Sequence, residues 1–456
     1  MAAVSSSPIR TKQRQSKAFR LVMALCWVTV LFDGIDTFMY GATIPHMTED
    51  AGLGMTAEIA GNIGSYATFG MLVGALTAGM LTDAIGRRKG IITCTLVFSL
   101  MSAVCALAPT ATVFGIGRTL AGVGLGGLLP TAIAMVTEFA TENRRSFAVG
   151  AVMSAHQAGG IAAGFLALWL LPVFGWRAMY WVGVLPVVLL VPLIIAWMPE
   201  SLSYLLIRGR HDRAESLAAK FDLDLGPYAP KSVTGSGSEP RASFLSSLAE
   251  LFKGRTAIIT LLFWIASFGG LLLVYGFSTW LPSLMRAEGY DLGPALAFMI
   301  VTNLGGIFGM LVSGRLADGI GPIRVGTFWF LATAVFIALL SVKMPFILTY
   351  VVVFIAGFFL FSAQTTVYAS VSHVSSTRSR ASAIGWTTGM GRFGAVFGPW
   401  LGGVLFAHGL QHLGFGMFAA FAISSMVMFI LVALVLRTAK DRTSTGKLKE
   451  EDPVEA

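Results

Sequence analysis

Gly79-Met80-Leu81-Thr82-Asp83-Ala84-Ile85-Gly86-Arg87-Arg88 returns 235 residues further on as Gly314-Arg315-Leu316-Ala317-Asp318-Gly319-Ile320-Gly321-Pro322-Ile323-Arg324. The first glycine, the aspartate and the second glycine keep their spacing, and the same offset recurs at two other places. Arg145-Ser146-Phe147-Ala148-Val149-Gly150 matches Arg380-Ala381-Ser382-Ala383-Ile384-Gly385, and Ala121-Gly122 with Leu125 matches Ala356-Gly357 with Leu360. One offset held at three places implies duplication of a long unit, so each copy should build a similar substructure.

Composition sets the solvent of that substructure. Of 456 residues, 55% are hydrophobic and 12% charged, with a mean hydropathy of +0.76, too apolar for a soluble globular chain. A membrane helix needs about 20 mostly apolar residues. Twelve stretches qualify, near 20–44, 58–81, 90–108, 111–136, 146–171 and 177–198, then 256–283, 293–316, 323–343, 346–372, 379–408 and 412–436. The predicted fold class is therefore an all-α integral membrane protein with 12 transmembrane helices in two six-helix halves. The predicted organisation is an N-terminal tail (1–19), a first half (20–198), a linker (199–255), a second half (256–436) and a C-terminal tail (437–456). The linker is rich in charge, Gly, Ser and Pro, as in Gly235-Ser236-Gly237-Ser238, with room for some helix. A parallel 6+6 repeat is an architecture that exposes a midplane site to each side in turn.

Basic residues give the orientation, because Lys and Arg accumulate in short cytoplasmic loops. They crowd the N-terminal tail, the loops at Arg87 to Lys89, Arg144 and Arg145, Arg315 and Arg324, and Arg378 and Arg380, the linker, and the tail from Arg437. Only Arg118, Arg177, Arg286, Lys343 and Arg392 lie elsewhere. Both termini are thus predicted to be cytoplasmic, and the net charge of +9 belongs to loops beside an anionic leaflet, with no nucleic-acid partner implied. The first apolar segment follows a basic tail, as in a signal peptide. It is too long for one and carries two aspartates, so it reads as retained. Cys26, Cys94 and Cys105 fall inside predicted spans and read as small apolar residues; neither disulfide nor metal spacing is present.

The two aspartates of span one, Asp33 and Asp36, stand where a charge costs roughly 2.5 to 3.5 kcal/mol on insertion scales, a position normally kept for ion pathways, proton relays or ligands. At about 100° per residue they are about 60° apart on one helix face, which Thr37 and Tyr40 extend. A dry cavity favours a protonated carboxylate and a nearby arginine an ionised one, so the pair is suited to gain and lose a proton as a cavity alternates. The structural alternative is that one or both only pair with Arg118. Arg392, near the middle of span eleven, offers a planar guanidinium that fits a carboxylate in a bidentate fork, with a structural ion pair as the alternative. His156 and Gln157 enter the membrane in span five, where imidazole can relay a proton or simply pack. Asn303 in span eight and Gln364 in span ten are further polar candidates. Trp264, Tyr275, Trp280 and Trp386 can stack an aryl ring, but Trp and Tyr near span ends more commonly form the interfacial belt.

The Gly79 to Arg88 loop, its copy, Arg118 with Gly122, Gly124, Gly126 and Gly127, and Pro199-Glu200-Ser201 resemble the major facilitator superfamily over essentially the whole chain. Asp33-Gly34-Ile35-Asp36-Thr37, Trp280-Leu281-Pro282-Ser283-Leu284-Met285-Arg286 and Gly389-Met390-Gly391-Arg392-Phe393-Gly394 resemble its aromatic acid:proton symporters. That resemblance implies import of benzoate-type, hydroxybenzoate, protocatechuate, vanillate or gentisate anions across a bacterial inner membrane. It further implies a monomeric transporter driven by the proton gradient, with no cofactor, no metal and no enzymatic activity. It implies proton coupling through Asp33, Asp36, Arg118 and His156, and substrate binding by Arg392, Asp36, Tyr40, Gln157, Asn303 and Gln364. It also implies a cytoplasmic gate built from Gly79, Asp83, Gly86, Arg87, Arg88 and Asp318, with Arg144 and Arg145 as partners of Asp83. Drug:proton antiporters carry a Gly-Pro motif in span five; Ser154-Ala155-His156-Gln157-Ala158-Gly159-Gly160 lacks it. The alternative is a proton symporter for another organic acid or a sugar, since Pro199-Glu200-Ser201 is shared with sugar porters. The acidic pair and Arg392 argue against a neutral sugar.

Overall fold

A computed structural model describes residues 8–141, 144–221, 223, 225, 252–375 and 379–450, without the side chains of residues 8–16, 146, 381 and 438–450. Most of the predicted linker, including Gly235 to Ser238, and Arg378 lie outside the described residues.

Among the described residues every regular element is helical. The first copy contributes α1 (Pro8–Glu49), α2 (Ala57–Ile85), α3 (Arg87–Ala106), α4 (Ala111–Phe139), α5 (Arg145–Phe174), and the pair α6 (Trp176–Val182) and α7 (Leu185–Trp197). Two short helices, α8 (Leu202–Ile207) and α9 (His211–Phe221), open the linker. The second copy contributes α10 (Gly254–Leu272), a π-helical turn (Leu273–Phe277) and α11 (Ser278–Ala287). It continues through α12 (Leu292–Ile320), α13 (Pro322–Leu339), α14 (Phe346–Val374), α15 (Arg380–Ala407) and α16 (Gly414–Glu450).

Eleven segments among the described residues are long and apolar enough to cross a bilayer, α6 with α7 and α10 through α11 each counting as one. The twelfth predicted span is α15. At 28 residues it is long enough, but its many glycines, Thr387, Thr388 and Arg392 dilute its hydropathy. Large apolar side chains are turned outward throughout, among them Leu76, Met80, Phe165 and Trp169, as expected where hydrocarbon is the solvent. Helix α1 begins well inside the predicted tail and α16 runs past the predicted span end at 436. Thr56 and Thr110 cap α2 and α4 by accepting from the amides of Ile59 and Val113.

The duplication is visible at atomic contacts. In the first copy Gly70, Gly74 and Gly122 press against the backbone carbonyls of Thr119, Val123 and Ala67, so closely that an added Cβ would collide. In the second copy Gly305, Gly309 and Gly357 do the same against Phe354, Phe358 and Thr302, and every partner is again displaced by 235 residues. Small residues therefore join α2 to α4 and α12 to α14 in the same way, the close backbone packing that membrane helices use in place of a hydrophobic driving force. The loop glycines agree too: Gly86 has φ +97° and Gly321 φ +94°, a region that disfavours residues with a Cβ.

Two compact units are resolved. One runs Met1–Ser238 and takes in Leu281–Arg286 and Tyr290–Ile300; the other comprises Glu239–Trp280, Ala287–Gly289 and Val301–Ala456. Within the first unit, Arg286 donates to Glu49 at 3.0 Å and Gly164 meets Ile300, contacts that no composition shift announces.

Candidate functional site

In the first unit α1 and α5 touch through two glycines. A Cβ on Gly34 would strike the His156 carbonyl, and one on Gly159 the Leu31 carbonyl and Gly34 itself. This close crossing brings His156 Nδ1 to 3.2 Å from Oδ2 of Asp33. Phe38, one helical turn along, packs against the imidazole with ring centroids 5.5 Å apart. One turn along α1 from Asp33, Asp36 takes a different partner. Its Oδ2 accepts from Arg118 Nη1 at 2.6 Å and its Oδ1 from the Ser102 hydroxyl at 2.9 Å. Arg118 Nη2 also donates to the Asp36 carbonyl at 3.3 Å. The Tyr40 and Tyr180 rings flank the guanidinium at 5.3 and 5.9 Å, within cation–π range.

Side-chain exposure separates the two pairs. Asp36 and Arg118 are 0% and 3% exposed, whereas His156 is 22% exposed beside Asp33 at 5%. Chemistry separates them further. Arginine stays protonated at any accessible pH, so Asp36–Arg118 is a fixed charge pair. Asp33 instead meets an imidazole, so the two aspartates have partners of different chemistry. The predicted coupling quartet is therefore brought together as two pairs with different capabilities. Tyr40, predicted to line a substrate cavity, is buried instead, its hydroxyl donating to the Ala60 carbonyl and its ring stacked on Phe114. Gln157 is 2% exposed, and its side-chain oxygen has no hydrogen-bond partner among the described residues.

In the second unit α15 crosses α10 through Gly391, Gly394 and Gly398, which press against Ser267, Phe268 and Leu272. The π-helical turn that follows α10 offsets the helical register and presents Tyr275, whose hydroxyl accepts from Arg392 Nη1 at 3.3 Å. Such turns are frequent at functional sites. Gln364 on α14 donates to Ser267 at 3.0 Å, and Asn303 is buried on α12. Trp280 is 1% exposed, donates to the Pro399 carbonyl at 2.8 Å and stacks on Phe406, so it is a packing residue of this unit and not part of an interfacial belt. Trp264 and Trp386 stack on each other at 5.9 Å.

The predicted gate is wired differently from the sequence expectation. The chain reverses at Gly86, which sends Arg87 to Glu138 and the Ala134 carbonyl. The Arg88 amide donates to Glu200 at 2.9 Å. Glu138 also accepts from Ser201 and from the amide of Ser203. Asp83 stays exposed at the end of α2 with no ion-pair partner among the described residues, and the Asp83 and Ala84 carbonyls accept from Arg208. Arg144 and Arg145 are exposed at the start of α5, and Asp318 is exposed on α12. Gly79 has open space where a Cβ would stand, unlike Gly86, where one would collide with Glu200.

Sequence reasoning missed Ser102, Tyr180, Ser267 and Glu138, which have no motif of their own. The role of Glu200 was within reach, since Pro199-Glu200-Ser201 was already singled out. At the opposite end of the first unit, the Trp176 indole and the Arg177 guanidinium, each 3.0 Å from Asp50, hold that carboxyl below the usual aspartate range.

The sequence model of the Major Facilitator Superfamily matches residues 26–399. The chain is 34% identical to a benzoate transport protein of Acinetobacter baylyi over 419 residues, covering 91% of this chain and 89% of that one. It is 32% identical to a gentisate transporter of Corynebacterium glutamicum, covering 93% and 89%. Its fold is similar to a partially occluded inward-open conformation of the xylose transporter XylE from E. coli, with a TM-score of 0.70 at 18% identity over 92% of this chain and 98% of that one.

Proposed function

We propose, from the premise that the chain belongs to the Major Facilitator Superfamily, that it imports a small aromatic carboxylate together with protons by alternating access. It is a multi-pass membrane transporter and not an enzyme. The proposal places it in a bacterial inner membrane as a monomer, with both termini cytoplasmic and no cofactor beyond the proton gradient. The substrate class is supported by relatives named as benzoate and gentisate transporters along nine-tenths of the chain.

The observation that carries the mechanism is the division of labour in α1. Asp36 is locked to a permanent cation, and Asp33 faces a titratable, partly exposed imidazole. Asp33 with His156 is therefore the proton carrier, and Asp36–Arg118 holds α1 against α4. Arg392, steadied by Tyr275, is the anchor for the substrate carboxylate. The Gln157 oxygen is an acceptor suited to a ring hydroxyl. Electrostatics favours symport: moving one anion inward against a negative interior is opposed by about 2.3 kcal/mol per 100 mV, and one accompanying proton cancels that cost.

Uptake of radiolabelled benzoate by cells expressing the chain, with and without a protonophore, tests this reading. Gentisate, 4-hydroxybenzoate, protocatechuate, vanillate and glucose serve as competitors. Protonophore-sensitive uptake blocked by aromatic acids and not by glucose supports it. A well-expressed protein that neither takes up nor binds any aromatic acid contradicts it.

A further inference from the structure

A cavity of about 480 Å³, a size typical of small-ligand sites, opens where the start of α3, the end of α7 and the linker helices α8 and α9 meet. Five cations line it: Arg88, Lys89, Arg210, Arg213 and Lys220. The single carboxylate in the lining, Glu200, already accepts from the amides of Arg88 and Ser201. On α9 the charges are sorted. Arg213, Leu217 and Lys220 recur at helical spacing on the face turned to the cavity, while Asp212 and Glu215 fall about 110° and 170° away from the middle of that face.

The rest of the lining is apolar, from Ile92, Trp197 and Phe221 among others. Ile195 and Trp197, at the end of the sixth span, are 53% and 58% exposed. The cavity thus takes cations from both the start of α3 and the linker, and exposed apolar side chains border it at the end of the sixth span.

We propose that this cavity is a binding site for the headgroup of an anionic phospholipid of the cytoplasmic leaflet, with an acyl chain lying along Ile195 and Trp197. The proposal rests on the orientation given above, which puts the basic loops on the cytoplasmic side. Among the described residues no carboxylate forms an ion pair with Arg210, Arg213 or Lys220, a phosphodiester offers them acceptors, and basic pockets beside membrane helices on this side are suited to such headgroups. A bound lipid ties α9 to α3 and α7, so lipid composition sets how firmly the linker helices are docked. A free phosphate monoester would use the same cations but not the exposed isoleucine and tryptophan.

The test uses the full-length protein in detergent, with phosphatidylglycerol retention read by native mass spectrometry and thermal stabilisation by added phosphatidylglycerol read against phosphatidylcholine. Three proteins are compared: wild type, the triple variant R210Q/R213Q/K220Q, and a control, R324Q/R380Q/R437Q, that removes the same charge from other exposed positions. Wild type and control should retain and be stabilised by phosphatidylglycerol, with affinity in the cavity variant weaker by about tenfold or more. Equal binding by the cavity variant and the control overturns the site. Competition by glycerol 3-phosphate at the same concentration as the lipid overturns the lipid assignment in favour of a soluble phosphate ligand. Binding is read without transport, so failure here is distinguishable from failure of the symporter reading.

Discussion

Asp33 and His156, 123 residues apart in sequence, meet at 3.2 Å because Gly34 and Gly159 let their helices come into backbone contact. That contact gives the Asp33 carboxylate an imidazole partner in place of a permanent cation. Three residues along the same helix, Asp36 faces an arginine instead. Two acidic residues that look equivalent in sequence are thereby given different chemistry.

Their substitutions should separate accordingly. Asp33→Asn keeps a hydrogen-bonding group of the same shape beside His156 and strands no permanent cation, so the protein should fold and melt close to wild type while losing uphill accumulation. Asp36→Asn strands the Arg118 charge, and removing one partner of a buried ion pair costs about 3 to 5 kcal/mol. Thermal melting and yield in detergent should fall for Asp36→Asn and not for Asp33→Asn.

The glycine crossing should matter independently of charge. Gly159→Val must push α5 off α1 and separate His156 from Asp33, so uptake should drop to background. Gly150→Ala on the same helix meets open space and should leave uptake unchanged. Transport assays on matched amounts of the two variants check this.

At Arg392, charge alone should not suffice. Arg392→Lys keeps the cation but loses the planar fork, and KM for the aromatic acid should rise by about tenfold. Tyr275→Phe removes one hydrogen bond to the guanidinium, worth about 1 kcal/mol, so its KM should rise by about fivefold. Saturation kinetics of uptake distinguish these from a loss of maximal rate.

The Asp50 loop supplies a pH signature. Its carboxyl is held below the usual aspartate range, chiefly by Trp176 and then by Arg177, so the folded loop favours the ionised form. That stabilisation is complete above the unfolded value of about 3.9 and is lost as pH falls through the lower folded value. Asp50→Asn should therefore be less stable than wild type at pH 7, and the two melting temperatures should converge in strong acid.

The fold was largely legible. Apolar segment lengths gave twelve spans, and the 235-residue offset foretold contacts as specific as Gly122 on Ala67 and Gly357 on Thr302. What stayed hidden were pairings that depend on helix rotation and register. Asp33 and Asp36 were legible as a polar face, but the meeting of Asp33 with His156 follows from the Gly34–Gly159 crossing, which carries no polar signal. Tyr40 extends that face on a helical wheel, yet the neighbouring helices cover it, and its hydroxyl ends on the Ala60 carbonyl. Asp83 sits beside Arg87 and Arg88 in sequence, but after the reversal at Gly86 the Arg87 guanidinium pairs with Glu138 and that of Arg88 donates to the Ile195 carbonyl.

The most direct test of the central claim is proton movement itself. Purified protein in liposomes containing a pH-sensitive dye would be given an inward gradient of the aromatic acid identified by the uptake assay, with no imposed pH gradient and with empty liposomes to subtract passive entry of the acid. The account predicts lumenal acidification by wild type and its loss in Asp33→Asn, while Asp33→Asn still exchanges labelled substrate across the membrane. Acidification by Asp33→Asn at the wild-type rate would contradict the assignment of the coupled proton to Asp33.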